Sequence, residues 1–216
     1  MESIIFDMDG TLLDTERASF ISWKKVMGEF GYSMEADIYN QLAGRKPTMV
    51  NDMLVKLYGE DFPIATIREH KDAVMFRSIR ENGVSVKPGA YELLDFLDKQ
   101  GCKLALATSS NRKKAIYLLE MAGLRTKFQV IVCGDDVTNS KPDPEIFLKA
   151  AEELKADPVK CLVLEDSQAG IEAAYRGGMM GIHVPDLKEP DAEIKKFAYK
   201  LCANLFEVKE YLGGFF

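Results

Sequence analysis

Asp7 and Asp9 stand two residues apart in Phe6-Asp7-Met8-Asp9-Gly10-Thr11, directly after an apolar run. Residues at i and i+2 of an extended chain project to the same side. Two carboxylates held that close repel each other unless a cation lies between them or one keeps a proton. Phosphoryl transfer uses both conditions. One carboxylate attacks phosphorus and becomes a mixed anhydride, while the other protonates the departing oxygen and then activates water. Gly10 lets the chain turn sharply beyond the pair. Read by itself, the same tetrad also suits an ordinary Asp-x-Asp-Gly turn.

Three further groups follow later apolar runs. Thr108-Ser109-Ser110 offers hydroxyls and backbone N–H donors at a helix start, which suits phosphate oxygens; Ser109 or Ser110 also suits a plain N-cap. Lys141, in Ser140-Lys141-Pro142-Asp143-Pro144, is a point charge able to neutralise a phosphoryl group in transit, or an ordinary solvated lysine. Glu165-Asp166-Ser167 is a second acidic pair. With Asp7 and Asp9 it offers four carboxylates to one hard, oxygen-seeking cation, which describes Mg²⁺; alone it would serve as a helix cap.

These residues need strands that end at one edge. Apolar runs at Ser3–Phe6, Lys103–Ala107, 129–132 and 161–164, with weaker ones at 181–184 and Leu201, alternate with helical patterns. That alternation predicts an α/β fold, an open Rossmann-like parallel sheet covered on both faces. Ala115, Ile116 and Leu119 form one helix face ending near Gly123. Ile146, Phe147, Ala150, Ala151 and Leu154 form another, with Asp143 as expected N-cap and Pro144 at the first helical position.

Residues 15–84 break the alternation. Phe20, Trp23, Met27 and Phe30, then Met49, Val50, Met53, Leu54 and Leu57, repeat at helical spacing with no strand between. A crossover normally needs far fewer residues. We therefore expect a helical cap at 15–84 inserted into a catalytic core of 1–14 and 85–216. The cap would stand above the carboxyl end of the first strand, where open α/β sheets bind ligands. On it, Arg45 and Lys46, after Gly44, are candidates for an anionic substrate, with Arg45 first because Gly44 marks a bend.

Taken together, these segments resemble the haloacid dehalogenase superfamily of phosphotransferases over essentially the whole chain. Within it they are most similar to the β-phosphoglucomutase-like branch with a helical cap. The resemblance is carried by the run from Asp7 to Glu16, by Ala107-Thr108-Ser109-Ser110, by the run from Ser140 to Phe147, and by Glu165-Asp166-Ser167-Gln168-Ala169-Gly170-Ile171. It implies that Asp7 is the nucleophile and that Asp9 is the general acid/base, with its backbone carbonyl on the metal. It further implies that Thr108 and Lys141 bind the transferring phosphoryl, that Asp166 is a metal ligand, and that Glu165 reaches the metal through water. His70 and Lys71 fall near another substrate position of the family. The mutases carry a histidine where this chain has Ser19, and the phosphate-binding arginine of their cap loop is displaced, with Pro47 near its place.

The expected activity is therefore Mg²⁺-dependent hydrolysis of a small phosphomonoester, a sugar phosphate or similar metabolite, through an aspartyl-phosphate. A phosphosugar mutase is the alternative, and a non-enzymatic phospho-aspartate switch is the alternative of another class. Net charge is −6 and the densest basic cluster is Arg112-Lys113-Lys114, which argues against nucleic acid. No apolar run approaches the ~20 residues of a membrane helix. Cys102, Cys133, Cys161 and Cys202 are scattered without a Cys-x-x-Cys pair, the usage of a reducing cytoplasm. A monomer meeting a small phosphorylated metabolite is the expected state.

Overall fold

A computed structural model describes residues 3–43, 45, 47–187 and 189–215. The chain opens with β1 (Ser3–Phe6) and passes through four helices, α1 (Thr15–Glu29), α2 (Ala36–Leu42), α3 (Pro47–Tyr58) and α4 (Ile64–Asn82). It returns through α5 (Ala90–Lys99), β2 (Lys103–Ala107), α6 (Arg112–Met121), β3 (Val130–Val132), α7 (Glu145–Glu153), β4 (Cys161–Glu165) and α8 (Gln168–Arg176). It ends with β5 (Met180–His183), α9 (Ala192–Phe197), β6 (Lys200–Leu201) and α10 (Leu205–Gly213). The strands form one parallel sheet in the order β3-β2-β1-β4-β5-β6.

Alternate residues of the strands feed opposite cores. Ile4, Phe6, Leu104, Leu106, Leu162 and Leu164 pack beneath α5, α6 and α10. Ile5, Ala105, Ala107 and Val163 pack against α7 and α8. This two-residue alternation lets both faces of a parallel strand be apolar. All four cysteines are buried and free.

A third apolar cluster belongs to α1–α4 and the turns between them. It is built on Trp23, Val26, Met27, Met34, Tyr39, Leu42, Val50, Leu54, Phe62 and Ile67. Phe20, Phe30 and Met53 lie at its margin. Leu57, grouped with the α3 stripe in the sequence, is instead exposed; in the last turn of α3 it is Tyr58, stacked on Phe62, that faces the cluster. The segment joins the sheet through two adjacent connections: Asp14 N–H donates to Ser85 O, Lys87 N–H donates to Leu12 O, and Leu13 bridges Val86 antiparallel. Among the described residues no helix is long and apolar enough to cross a membrane.

Two helix starts differ from the sequence expectation. Asn111, rather than Ser109 or Ser110, caps α6 by accepting from Lys114 N–H. That leaves the two serines ahead of the helix, between its cap and the end of β2. At α7 the cap position is Pro144, not Asp143, although the Asp143 carboxylate still accepts from Glu145 N–H at 2.9 Å.

Candidate active site

Register places the reactive groups. Phe6 pairs with Leu106 of β2 on one side and Leu164 of β4 on the other. Asp7 N–H then donates to Leu164 O at 2.9 Å, carrying the ladder one residue further. Asp7 thus leaves the sheet level with Ala107 and Glu165, and the loops holding Asp9, Thr108 and Asp166 open at the same edge. The turn after Asp9 is tight: Gly10 has φ +86°, and a Cβ there would stand 2.4 Å from the Asp166 carboxylate. Only glycine satisfies both conditions.

Lys141 is the centre of charge. It is 2% exposed, and its Nζ donates to Asp7 Oδ1 and to Glu165 Oε1, each at 2.6 Å. Burial disfavours its charge, but Asp7 and Glu165 outweigh that and raise its pKa above the usual lysine range. Glu165 also accepts from Ser167 N–H at 2.6 Å. Its carboxylate lies against Gly170 of α8, where any Cβ would fall 1.9 Å from it.

Burial pushes the Asp7 carboxyl up to about 8, with Lys141 opposing and Glu165 and Asp9 adding to the rise. Asp166 is raised well above the carboxylate range by burial, then by Glu165 and Asp7; its Oδ1 accepts from the Thr11 hydroxyl at 3.0 Å. Asp9 behaves oppositely. Burial again resists its charge, but Lys114 at 3.1 Å, with Thr15 (2.6 Å) and Ser110 (2.7 Å) donating, holds its pKa below the ordinary value. The Thr108 hydroxyl lies 3.3 Å from the same carboxylate. Two neighbouring aspartates therefore sit in contrasting environments, one favouring the neutral acid and the other the anion.

The donor set fits Mg²⁺. Asp7, Asp9, Glu165 and Asp166 face two lysines, so the crevice carries uncompensated negative charge. The raised pKa values of Asp7 and Asp166 come first from burial and then from the neighbouring carboxylates. Hard carboxylate and carbonyl oxygens with room for water suit this ion. A tighter cluster, Cys133-Asp135-Asp136, is a loop lock instead. The Arg112 guanidinium pairs with Asp136, Arg112 N–H donates to Asp135, and Cys133 N–H donates to Asp136.

Above the crevice lies a cavity of about 110 Å³ bordered by Asp7, Asp9, Thr108, Ser109, Ser110 and Lys114 below and by Trp23, Tyr39, Arg45, Arg68 and Lys71 above. A second cavity of about 270 Å³ touches Asp166 and shares Glu16, Ala43 and Arg45 with the first. Arg45 borders both, with its Nε donating to Gln41 O at 2.8 Å. Gly44 and Lys46 lie outside the described residues. Of the other cap pair, Lys71 is buried and borders the smaller cavity, whereas His70 is exposed beside Phe30.

Four residues at the site were not singled out from sequence. Lys114 and Thr15 hold Asp9, and Tyr39 donates its hydroxyl to Glu16 Oε2 at 2.5 Å. Burial, then Asp9, push Glu16 up to about 7. For Lys114 a signal existed. It lies in the first turn of α6, where the helix dipole favours anions over cations.

Residues 4–184 match the family described as haloacid dehalogenase-like hydrolase. The phosphorylated carbohydrates phosphatase of Thermotoga maritima is 37% identical over 85% of this chain and 84% of its own. The fructose-1-phosphate phosphatase of Escherichia coli is 33% identical over 84% of this chain and 95% of its own. Among solved structures, a β-phosphoglucomutase from Clostridium difficile superposes with a TM-score of 0.85, covering 99% of this chain and 96% of that one at 27% identity.

Proposed function

Because this chain belongs to the haloacid dehalogenase-like hydrolase family, we propose that it hydrolyses a small phosphomonoester of the sugar-phosphate class through a phosphoryl group carried on Asp7. The observation that carries this reading is the contrast between Asp7, bridged by Lys141 to Glu165, and Asp9, two residues on, held by Thr15, Ser110 and Lys114. Two carboxyl groups with separate partners at one sheet edge can divide nucleophilic and acid–base work. Because the metal-free surroundings favour neutral Asp7 and anionic Asp9, these roles require a cation beside Asp7 and release of Asp9 from Lys114.

In the first step an oxygen of ionised Asp7 bonds to phosphorus as the bond from phosphorus to the ester oxygen breaks. The proton of Asp9 passes to the departing alcohol. Water then attacks the acyl phosphate and returns a proton to Asp9, so that inorganic phosphate leaves and both carboxyl groups are restored. Lys141 and the Thr108 hydroxyl, with the N–H groups of Ser109 and Ser110, receive the phosphoryl oxygens. Asp9 must carry a proton when the alcohol leaves, and Lys114 opposes this; an anionic phosphoryl group competes for the ammonium and relieves the opposition. Mg²⁺ held by Asp7, Asp166 and the Asp9 carbonyl would supply the positive charge that keeps Asp7 ionised beside an anionic substrate. The α1–α4 segment acts as the cap, excluding water from the smaller cavity during the first step.

Two relatives whose names specify phosphorylated carbohydrate and fructose 1-phosphate support the substrate class. Likeness to a β-phosphoglucomutase favours a mutase as the second reading. Against it, Ser19 stands where the family resemblance puts the mutases' histidine, and a serine does not titrate near neutrality. Phosphate release from a panel of sugar phosphates, followed alongside glucose 6-phosphate formation from β-glucose 1-phosphate with glucose 1,6-bisphosphate present, decides between them. Net hydrolysis is expected, and isomer formation outpacing it makes the enzyme a mutase. Chelation with EDTA should abolish phosphate release, Mg²⁺ should restore it and Ca²⁺, which accepts more ligands and engages both carboxylate oxygens, should inhibit. Full turnover after exhaustive chelation refutes the metal assignment.

A further inference from the structure

We propose that Glu16 recognises a hydroxyl group on the alcohol half of the substrate, on the carbon next to the phosphoester, and so selects polyol phosphates. The inference rests on the phosphatase reading above and adds to it the residue that chooses the leaving group.

Position carries the argument. Glu16 borders the same small cavity as Asp9, the group that protonates the departing oxygen, and lies near enough for the two carboxyl groups to repel. It borders both cavities and marks the junction between the one lined by Asp7 and Lys114 and the larger one beyond. The alcohol half of a phosphoester held at Asp7 can extend through this junction into the larger cavity. One carboxyl oxygen is fixed by the Tyr39 hydroxyl at 2.5 Å, and Ser19, one turn along α1, hydrogen-bonds that tyrosine in turn. The other oxygen has no hydrogen-bond partner among the described residues.

The chemistry of the position selects its ligand. A second anionic group set directly against Glu16 would be repelled by it and is better received by Arg45, Arg68 or Lys71 elsewhere on the cavity rim. An apolar leaving group would cover a polar atom without satisfying it, which is costly. A hydroxyl donates to the ionised carboxylate and accepts from the protonated acid. Because burial and Asp9 bring Glu16 up to about 7, both forms are present near neutrality, and a hydroxyl serves either.

The test compares the polyol phosphate turned over fastest among glycerol 3-phosphate, ribitol 5-phosphate and sorbitol 6-phosphate with its analogue lacking the hydroxyl next to the ester. Wild type should prefer the parent by roughly 10- to 100-fold in kcat/KM, the scale of a hydrogen bond to a charged group. Glu16→Ala should lose about that factor on the parent and bring the two substrates within about threefold of each other. Glu16→Gln, which keeps an acceptor oxygen, should fall between. Equal losses on both substrates, no loss on the parent, or a wild type indifferent to the hydroxyl each overturn the inference. Wild-type release from phenyl phosphate with Mg²⁺ reports separately on the underlying reading. If it, every polyol phosphate and every sugar phosphate of the panel above are inert, the phosphatase assignment fails and takes the inference with it.

Discussion

On the sheet side of the cavity, Lys141 is bound to Asp7 and Glu165, partners 134 and 24 residues away in sequence. On the helical side, Arg45 donates to Gln41 and Lys71 pairs with the adjacent Asp72. The first set exists only when β1, β4 and the Lys141 loop are assembled, so its geometry is as stiff as the fold. The second set has its hydrogen-bond and ion-pair partners within four residues, with the Lys71 ammonium also over Trp23, so those side chains can be redirected to a ligand without disturbing the sheet. Under the proposed function, chemistry that tolerates little displacement would sit on the stiff side, and selection among substrates would fall to the adaptable side.

The sharpest way to break this comparison is Asp7→Asn. It preserves shape but removes the attacking oxygen anion, and kcat should fall by about 10⁴-fold or more, as for other lost nucleophiles. A variant that keeps a tenth of wild-type turnover refutes the covalent route. Next, Lys141→Met leaves two buried carboxyl groups without their cation and should destabilise the fold by roughly 3–5 kcal/mol, read from urea unfolding of the metal-free protein. A loss below about 1 kcal/mol would show that the sheet-side charges are no more bound into the fold than surface pairs.

Glu16 is the informative exception, a half-buried helical-side acid tied to a residue far away in sequence. Its carboxyl group titrates at about 7 in the folded chain against 4.5 unfolded. Below pH 4.5 it is neutral in both states and costs nothing. As pH rises from 4.5 to 7 the unfolded chain ionises first and stability falls; above 7 the penalty is complete at roughly 3 kcal/mol. Glu16→Gln should therefore be more stable than wild type at pH 8 and equal to it at pH 4, which thermal melts at the two values would show. An equal difference at both values rules out ionisation as the cause. The smallest effect belongs to Arg45→Ala: stability should change by less than about 0.5 kcal/mol. KM for a sugar phosphate should rise severalfold with kcat little altered. A loss of stability comparable to that of Lys141→Met would erase the distinction between the two sides.

The strand ends were legible because parallel strands buried on both faces read as short, nearly continuous apolar runs, and the residues just beyond them share one edge. Asp7, Asp9, Thr108, Glu165 and Asp166 come from such ends, whereas Lys141 comes from the loop between β3 and α7. Side chains on helices were harder to read. Lys71 occupies a buried stripe with Ile67, Met75 and Ile79, spaced by four; a lysine at that spacing marks an inward cation, while His70, one residue away, turns outward. Glu16 gave no such sign, since an acid in a first helical turn is ordinary. Its burial depends on Tyr39, twenty-three residues later and on another helix. The exposure of Leu57 likewise depends on what lies across from α3, which periodicity does not contain.

The paired connections at Leu12–Asp14 and Ser85–Lys87 bear on how such a chain can change over generations. Because the intervening 70-residue excursion leaves and re-enters through adjacent, hydrogen-bonded backbone, the sheet is insensitive to how long that excursion is. Closing a loop costs only logarithmically more as it lengthens. Residues 15–84 can then be shortened, extended or exchanged for another helical module without moving Asp7 relative to Lys141. One hydrolytic engine can in this way acquire new substrates by grafting, while its reacting atoms stay where the strands put them.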